Sequence, residues 1–211
     1  MSKGIIFDFD GTLVDSEKAI YETFESITRL IAPERESFAK NILIGPPLRD
    51  TATEILGIDY QDQLDKFVNL FIEMHDEKVT KHTQPYPDVA NILQRLHKNN
   101  VHMAIATNKR KVPVIKLINY FGWNDYFTNI ECSDNKSLSR NKTELIKDII
   151  EDDIRFKHGF FLGDTVNDGI SANLNKLKFI QARYGYGSNQ NWSKVNVYNS
   201  ISNFYEIENI F

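Results

Sequence analysis

A single cysteine, Cys132, among 211 residues rules out any internal disulfide and fits a reducing compartment. Nothing in Glu131-Cys132-Ser133 activates the thiol, so it reads as a structural residue and not as a nucleophile. Long apolar runs are also lacking, since no stretch approaches the ~20 residues that cross a bilayer. The first residues have neither the basic nor the apolar region of a secretory signal. A cytoplasmic location without membrane attachment is the expectation. Basic charge is not in excess either: 25 Lys and Arg stand against 29 Asp and Glu, a formal net charge of -4, which argues against a nucleic-acid surface. The five histidines, at 75, 82, 97, 102 and 158, lack zinc-ligand spacing. Internal repeats and low-complexity tracts are absent too. What remains is a chain 41% hydrophobic and 26% charged, an ordinary globular balance, long enough for one domain with an insertion or two modest domains.

The most informative stretch is Ile5-Ile6-Phe7-Asp8-Phe9-Asp10-Gly11-Thr12, where an apolar run of buried-strand character ends in two acids and a glycine. Side chains alternate along a strand, so Asp8 and Asp10 leave on one side. Like charges at 4 Å repel by roughly 4 kcal/mol at an effective dielectric near 20, so a cation or a shared proton is implied between them. A second acidic cluster, Gly163-Asp164-Thr165-Val166-Asn167-Asp168, likewise follows an apolar segment, Gly159-Phe160-Phe161-Leu162. Two such clusters in an alternating strand and helix pattern would meet at the carboxyl edge of one sheet, where open α/β folds hold their ligands.

From Leu13 to about Lys81 the pattern is helical. Ala19, Ile20, Thr23, Phe24, Ile27, Leu30 and Ile31 mark one apolar face, and Leu64, Phe67, Val68, Leu70, Phe71 and Met74 another, with the breaker Ile44-Gly45-Pro46-Pro47 between them. Residues 15–83 carry 8 basic and 14 acidic side chains, as a solvated helical face would. Beyond Pro85-Tyr86-Pro87-Asp88, strands are expected at 101–107, 129–132, 160–162, 177–182 and 195–197. Helices are expected at 112–120, 143–150 and 165–175, so this half reads as parallel βαβ units.

Four elements therefore stand in order: Asp8-Phe9-Asp10-Gly11-Thr12, Thr107-Asn108, Lys142, and Gly163-Asp164 with Asp168. Their order and content resemble the haloacid dehalogenase (HAD) superfamily. Ile44-Gly45-Pro46-Pro47-Leu48 and Pro85-Tyr86-Pro87-Asp88 are similar to its phosphoglycolate-phosphatase-like group. The resemblance implies an α/β fold, a Rossmann-like parallel-sheet core (residues 1–14 and 84–211) with an inserted all-helical cap domain (15–83). It implies a magnesium-dependent phosphatase acting on a small phosphorylated metabolite, with phosphoglycolate as the single best candidate.

By the same resemblance Asp8 is the nucleophile, forming an aspartyl-phosphate, and Asp10 the general acid and base. Thr107, Asn108 and Lys142 contact the phosphate. Magnesium would be held by Asp8, the Asp10 carbonyl and Asp164, with Asp168 binding the ion or orienting its waters. Relatives often follow the lysine with prolines, whereas this chain has Asn141-Lys142-Thr143-Glu144, which leaves Lys136 and Arg140 as alternatives. Arg49 is the cap residue expected to meet a second anionic group of the substrate. Two rival readings use related parts: a sugar phosphomutase with the same Asp pair, and a non-enzymatic phosphate-switched module.

Overall fold

The computed structural model describes residues 4–134 and 140–210. The chain divides into two compact units, Met1–Asp15 with Pro85–Phe211, and Ser16–Gln84.

In the first unit the chain begins with β1 (Ile5–Phe7) and, after the acidic turn, β2 (Val14–Asp15). The second unit holds α1 (Glu17–Ile31), α2 (Glu36–Ala39), α3 (Leu48–Leu56) and α4 (Leu64–His82). β3 (Gln84–Pro85) spans the return to the first unit, which continues with α5 (Val89–Lys98), β4 (Met103–Thr107), α6 (Lys111–Phe121) and β5 (Asn129–Cys132). It continues with α7 (Lys142–Asp152), β6 (Phe160–Gly163), α8 (Val166–Leu174), β7 (Lys178–Ala182) and β8 (Val197–Ile201).

Six strands form one parallel sheet in the order β5-β4-β1-β6-β7-β8. β1 is central, with Phe7 opposite Ile105 of β4 and Leu162 of β6. Every residue of β1, β4 and β6 is buried, as expected of parallel strands covered on both faces. On one face Ile6, Phe161 and Phe179 pack with Leu145, Ile146 and Ile149 of α7, each large side chain worth about 1.5–3 kcal/mol on burial. On the other, the Phe7 ring lies 6.3 Å from Phe127 and 6.1 Å from Phe204.

The helices that follow β5 and β6 start on capping boxes. Asn141 and Glu144 close the first turn of α7, and Thr165 and Asp168 that of α8, each satisfying amide hydrogens that have no partner within the helix. β6 thus feeds a turn whose geometry is fixed by hydrogen bonds.

In the helical unit α1 and α4 meet through aromatic side chains, Phe24 lying 4.5 Å from Phe71 and 6.2 Å from Phe67. Arg35 donates to the carbonyls of Ile55 (2.8 Å) and Glu54 (3.0 Å), satisfying the end of α3.

Two expectations shift. The run after Thr12 is not helical from Leu13, because Val14–Asp15 forms β2 and pairs with β3 before α1 begins. The last strand lies at 197–201 and not at 195–197: a 3-10 turn at Trp192–Lys194 and a bond from the Asn196 amide to Asn173 Oδ1 (2.7 Å) occupy that segment. β8 is an edge strand with Tyr198 and Asn199 exposed, so its sequence carries little apolar signal.

Candidate active site

The carboxyl ends of β4, β1 and β6 lie side by side, and each delivers a polar residue to the same edge: Thr107, Asp8 and Asp164. The Asp8 amide still donates to the Leu162 carbonyl (2.9 Å), so Asp8 is held by the sheet itself. Oxygens of Asp8, Asp164 and Asp168 lie within 4.8 Å of one another, and all three residues are buried. Lys142, in the first turn of α7, reaches them: its Nζ is 2.5 Å from Asp8 Oδ1 and 2.9 Å from Asp168 Oδ1.

Burial and the charges of Asp168 and Asp164 push the Asp8 carboxyl well above the ordinary carboxylate range, against the opposing pull of Lys142. Burial and Asp168 likewise push Asp164 up to about 7. For Lys142 burial acts downward, but Asp168 and Asp8 more than reverse it and hold the ammonium charged. With all four groups ionised, three carboxylates against one ammonium leave an excess of two negative charges, the amount a divalent cation balances.

Asp164 is held from two sides. Thr12 Oγ1 donates to its Oδ1 (3.1 Å) and the Tyr186 amide to its Oδ2 (2.7 Å). The chain comes so close here that side chains are excluded. Gly11 has φ +79°, and a Cβ on it would lie 2.4 Å from Asp164 Oδ2; one on Gly185 would lie 2.2 Å from the Gly11 carbonyl oxygen. Tyr184 adds a bond from its hydroxyl to the Thr12 carbonyl (2.8 Å).

Asp168 has two partners at once. Its Oδ2 accepts from the Thr165 amide (3.0 Å) and hydroxyl (2.6 Å), and its Oδ1 faces Lys142. Thr107 is buried, and its Oγ1 accepts from the Lys109 amide (3.1 Å). Asn108 follows it at the tip of β4. Lys109 itself turns to Asp10, with Nζ 3.0 and 3.1 Å from the two carboxylate oxygens.

Of the residues expected from sequence, Asp8, Asp164, Asp168 and Lys142 come together, and Asp10 and Thr107 stand at the same strand tips. Arg49 belongs to the helical unit and pairs with Asp65 at 2.8 Å, both side chains well exposed. Arg140 is engaged by Glu131 and Asp148, so Lys142 is the described cation at Asp8. Lys136 lies outside the described residues. Sequence reasoning passed over Lys109 and the Tyr184–Gly187 loop. Both act on residues distant in the chain, and only the adjacency of Lys109 to Thr107-Asn108 offered a signal. Cys132 is buried, and burial pushes its thiol up to about 12, consistent with an inert residue.

Comparison with known proteins identifies the family. The family model for haloacid dehalogenase-like hydrolases matches residues 5–182. The chain belongs to that family. A phosphoglycolate phosphatase of Rhodobacter capsulatus is 29% identical over 193 residues, covering 88% of this chain and 86% of the relative. A 5'-nucleotidase of Pseudomonas aeruginosa is 25% identical over 186 residues, covering 87% and 84%. In fold, a haloacid dehalogenase-like family hydrolase of Streptococcus pneumoniae superposes with a TM-score of 0.83 at 20% identity, covering 99% and 98% of the two chains. The chain is an enzyme of the phosphatase type within that family, which sets aside the non-enzymatic switch. Among the described residues, no helix is long and apolar enough to cross a membrane.

Proposed function

We propose that the chain is a magnesium-dependent phosphatase that hydrolyses a small phosphomonoester through an aspartyl-phosphate on Asp8, with phosphoglycolate as the first substrate to test. The observation that carries this is the 2.5 Å approach of Lys142 Nζ to Asp8 Oδ1 within a buried group of three carboxylates. Lys142 pulls the nucleophile toward its ionised form and offers its charge to the phosphoryl group, while Asp8 is aimed by β1. Thr107 and Asn108 supply donors to phosphoryl oxygens at the adjoining tip.

In the first half-reaction an Asp8 oxygen bonds to phosphorus as the ester P–O bond breaks, and the carboxyl proton of Asp10 passes to the leaving oxygen. In the second, water bonds to phosphorus, the Asp8–phosphorus bond breaks, and Asp10 takes the proton from the water. Orthophosphate leaves and both acids return to their starting states.

The donor set suits magnesium, a hard cation that takes carboxylate and carbonyl oxygen. Asp8, Asp164 and the Asp10 carbonyl would hold it, with Asp168 and its Thr165 bonds behind them. When bound, the ion supplies positive charge to the phosphoryl oxygens. Residues 15–83 would form the substrate-selecting cap, with Arg49, paired at the surface with Asp65, as its candidate for an anionic group. The single cysteine, buried and unbridged, accords with a cytoplasmic protein.

The test is orthophosphate release from a panel containing 2-phosphoglycolate, nucleoside monophosphates and sugar phosphates, with magnesium or with EDTA. Metal-dependent release from 2-phosphoglycolate above the other esters is the expected result. An isomerised sugar phosphate without orthophosphate would establish the phosphomutase instead.

A further inference from the structure

We propose that Lys109 is a positioning residue for Asp10, whose ammonium grips both carboxylate oxygens and fixes the orientation from which Asp10 delivers its proton. The proposal rests on the phosphatase reading and deepens it at one step, departure of the substrate oxygen.

The geometry is two-pronged. Lys109 Nζ stands 3.0 Å from Asp10 Oδ1 and 3.1 Å from Oδ2, and the side chains are only 7% and 14% exposed. The pair spans 99 positions in sequence and joins the tips of two neighbouring strands, β1 and β4. Each end is itself fixed. The Lys109 amide donates to Thr107 Oγ1, and the Asp10 backbone bridges to Val14 while the Gly11 amide donates to the Val14 carbonyl (2.9 Å).

An exposed ion pair would hold neither partner still, because two long side chains lose rotamer freedom for less than about 1 kcal/mol of attraction. Here the pair is largely dehydrated, so its attraction is less screened and the carboxyl plane is set. Proton transfer demands such aim, since donor and acceptor must approach within hydrogen-bond distance in the transition state. Lys109 acts through Asp10: the ammonium holds the Asp10 carboxylate as it takes the proton from water, and in the acid form one Asp10 oxygen keeps that bond while the other, protonated, gives its proton to the next leaving oxygen.

Leaving groups separate this role from simple phosphate binding. 4-Nitrophenolate departs as an anion with little need of a proton, whereas phenolate departs poorly without one. Relative to the wild type, Lys109→Met should lower kcat/KM on phenyl phosphate, which reports the half-reaction in which the leaving group departs, by about 30-fold, a share of the ~10²–10⁴ that a general acid contributes. On 4-nitrophenyl phosphate it should fall less than about 3-fold, with KM little changed on both. Lys109→Arg, which keeps a two-pronged donor, should recover most of the loss. Asp10→Asn should show the same leaving-group pattern, and Asp10→Asn with Lys109→Met should be no slower than Asp10→Asn alone. Lys109→Gln serves if the Met variant does not fold, as judged by thermal melting.

Equal losses on both esters with raised KM would overturn the proposal in favour of direct phosphate binding. Additive losses in the double variant, or an unchanged Lys109→Met enzyme, would overturn it as well. If the wild type releases orthophosphate neither from these esters nor from the panel that includes 2-phosphoglycolate, the phosphatase reading fails, a result distinct from failure of the Lys109 role.

Discussion

The two units both carry ion pairs at the surface, and differ in what they bury. In the helical unit ion pairs lie at the surface: Arg49 with Asp65, Arg29 with Glu36 and Lys18 with Glu22, most of these side chains more than half exposed. Pairs of this kind contribute about 0–1 kcal/mol and are screened by salt. The α/β unit has such surface pairs too, Arg95 with Glu208 and Lys147 with Glu151, but it also buries a charged group: Asp8, Lys142, Asp164 and Asp168 at one strand edge, with Asp10 and Lys109 beside them. Removing such ions from water costs several kcal/mol each, which their mutual attraction offsets only when geometry is good. A fold selected for stability alone would replace them with apolar side chains, so their persistence at the sheet edge is a mark of chemistry.

Substitutions can break that contrast. The largest effect belongs to Asp8→Asn, which should lower turnover by at least about 10⁴-fold while leaving the thermal midpoint near that of the wild type. Orthophosphate release and calorimetry on the same sample check it, and a collapsed midpoint with residual activity would reassign Asp8 to structure. Lys142→Met should destabilise by about 3–5 kcal/mol, because Asp8 and Asp168 lose their buried cation; urea unfolding measures this. Asp8→Asn combined with Lys142→Met should recover part of the loss.

Smaller effects sharpen the contrast. Gly185→Ala forces a Cβ to within 2.2 Å of the Gly11 carbonyl oxygen and 2.3 Å of Asp164 Cβ. It should cost about 1–3 kcal/mol and weaken magnesium binding, read by titration calorimetry. A magnesium concentration 100 times the dissociation constant should stabilise the wild type by about 2.7 kcal/mol. The smallest effect is that of Arg49→Ala, expected below about 1 kcal/mol in urea unfolding. A larger loss would show that the helical unit also depends on its ion pairs.

Much of this was legible in the sequence because the decisive signals are local. Ile5-Ile6-Phe7 and Phe160-Phe161-Leu162 are too apolar for anything but buried strands, and acids directly after them can only emerge at the carboxyl edge. The Asn141 and Thr165 capping boxes are also local patterns. What escaped depends on distant partners. Nothing near Lys109 indicates Asp10, and nothing in Arg183-Tyr184-Gly185-Tyr186-Gly187 indicates that its backbone seals Asp164. The edge strand at 197–201 escaped because a half-exposed strand carries a weak apolar pattern. Lys142 was the intermediate case: family order proposed it, and only its approach to Asp8 separates it from Arg140.

The covalent role of Asp8 can be measured directly. Enzyme mixed with an aryl phosphate and magnesium, quenched in acid during turnover and treated with borohydride, would convert a phosphorylated aspartate to homoserine, and peptide mass spectrometry would locate it. The expected result is homoserine at position 8 and nowhere else. Modification at Asp10 or Asp164, or turnover with position 8 unmodified, would contradict the assignment.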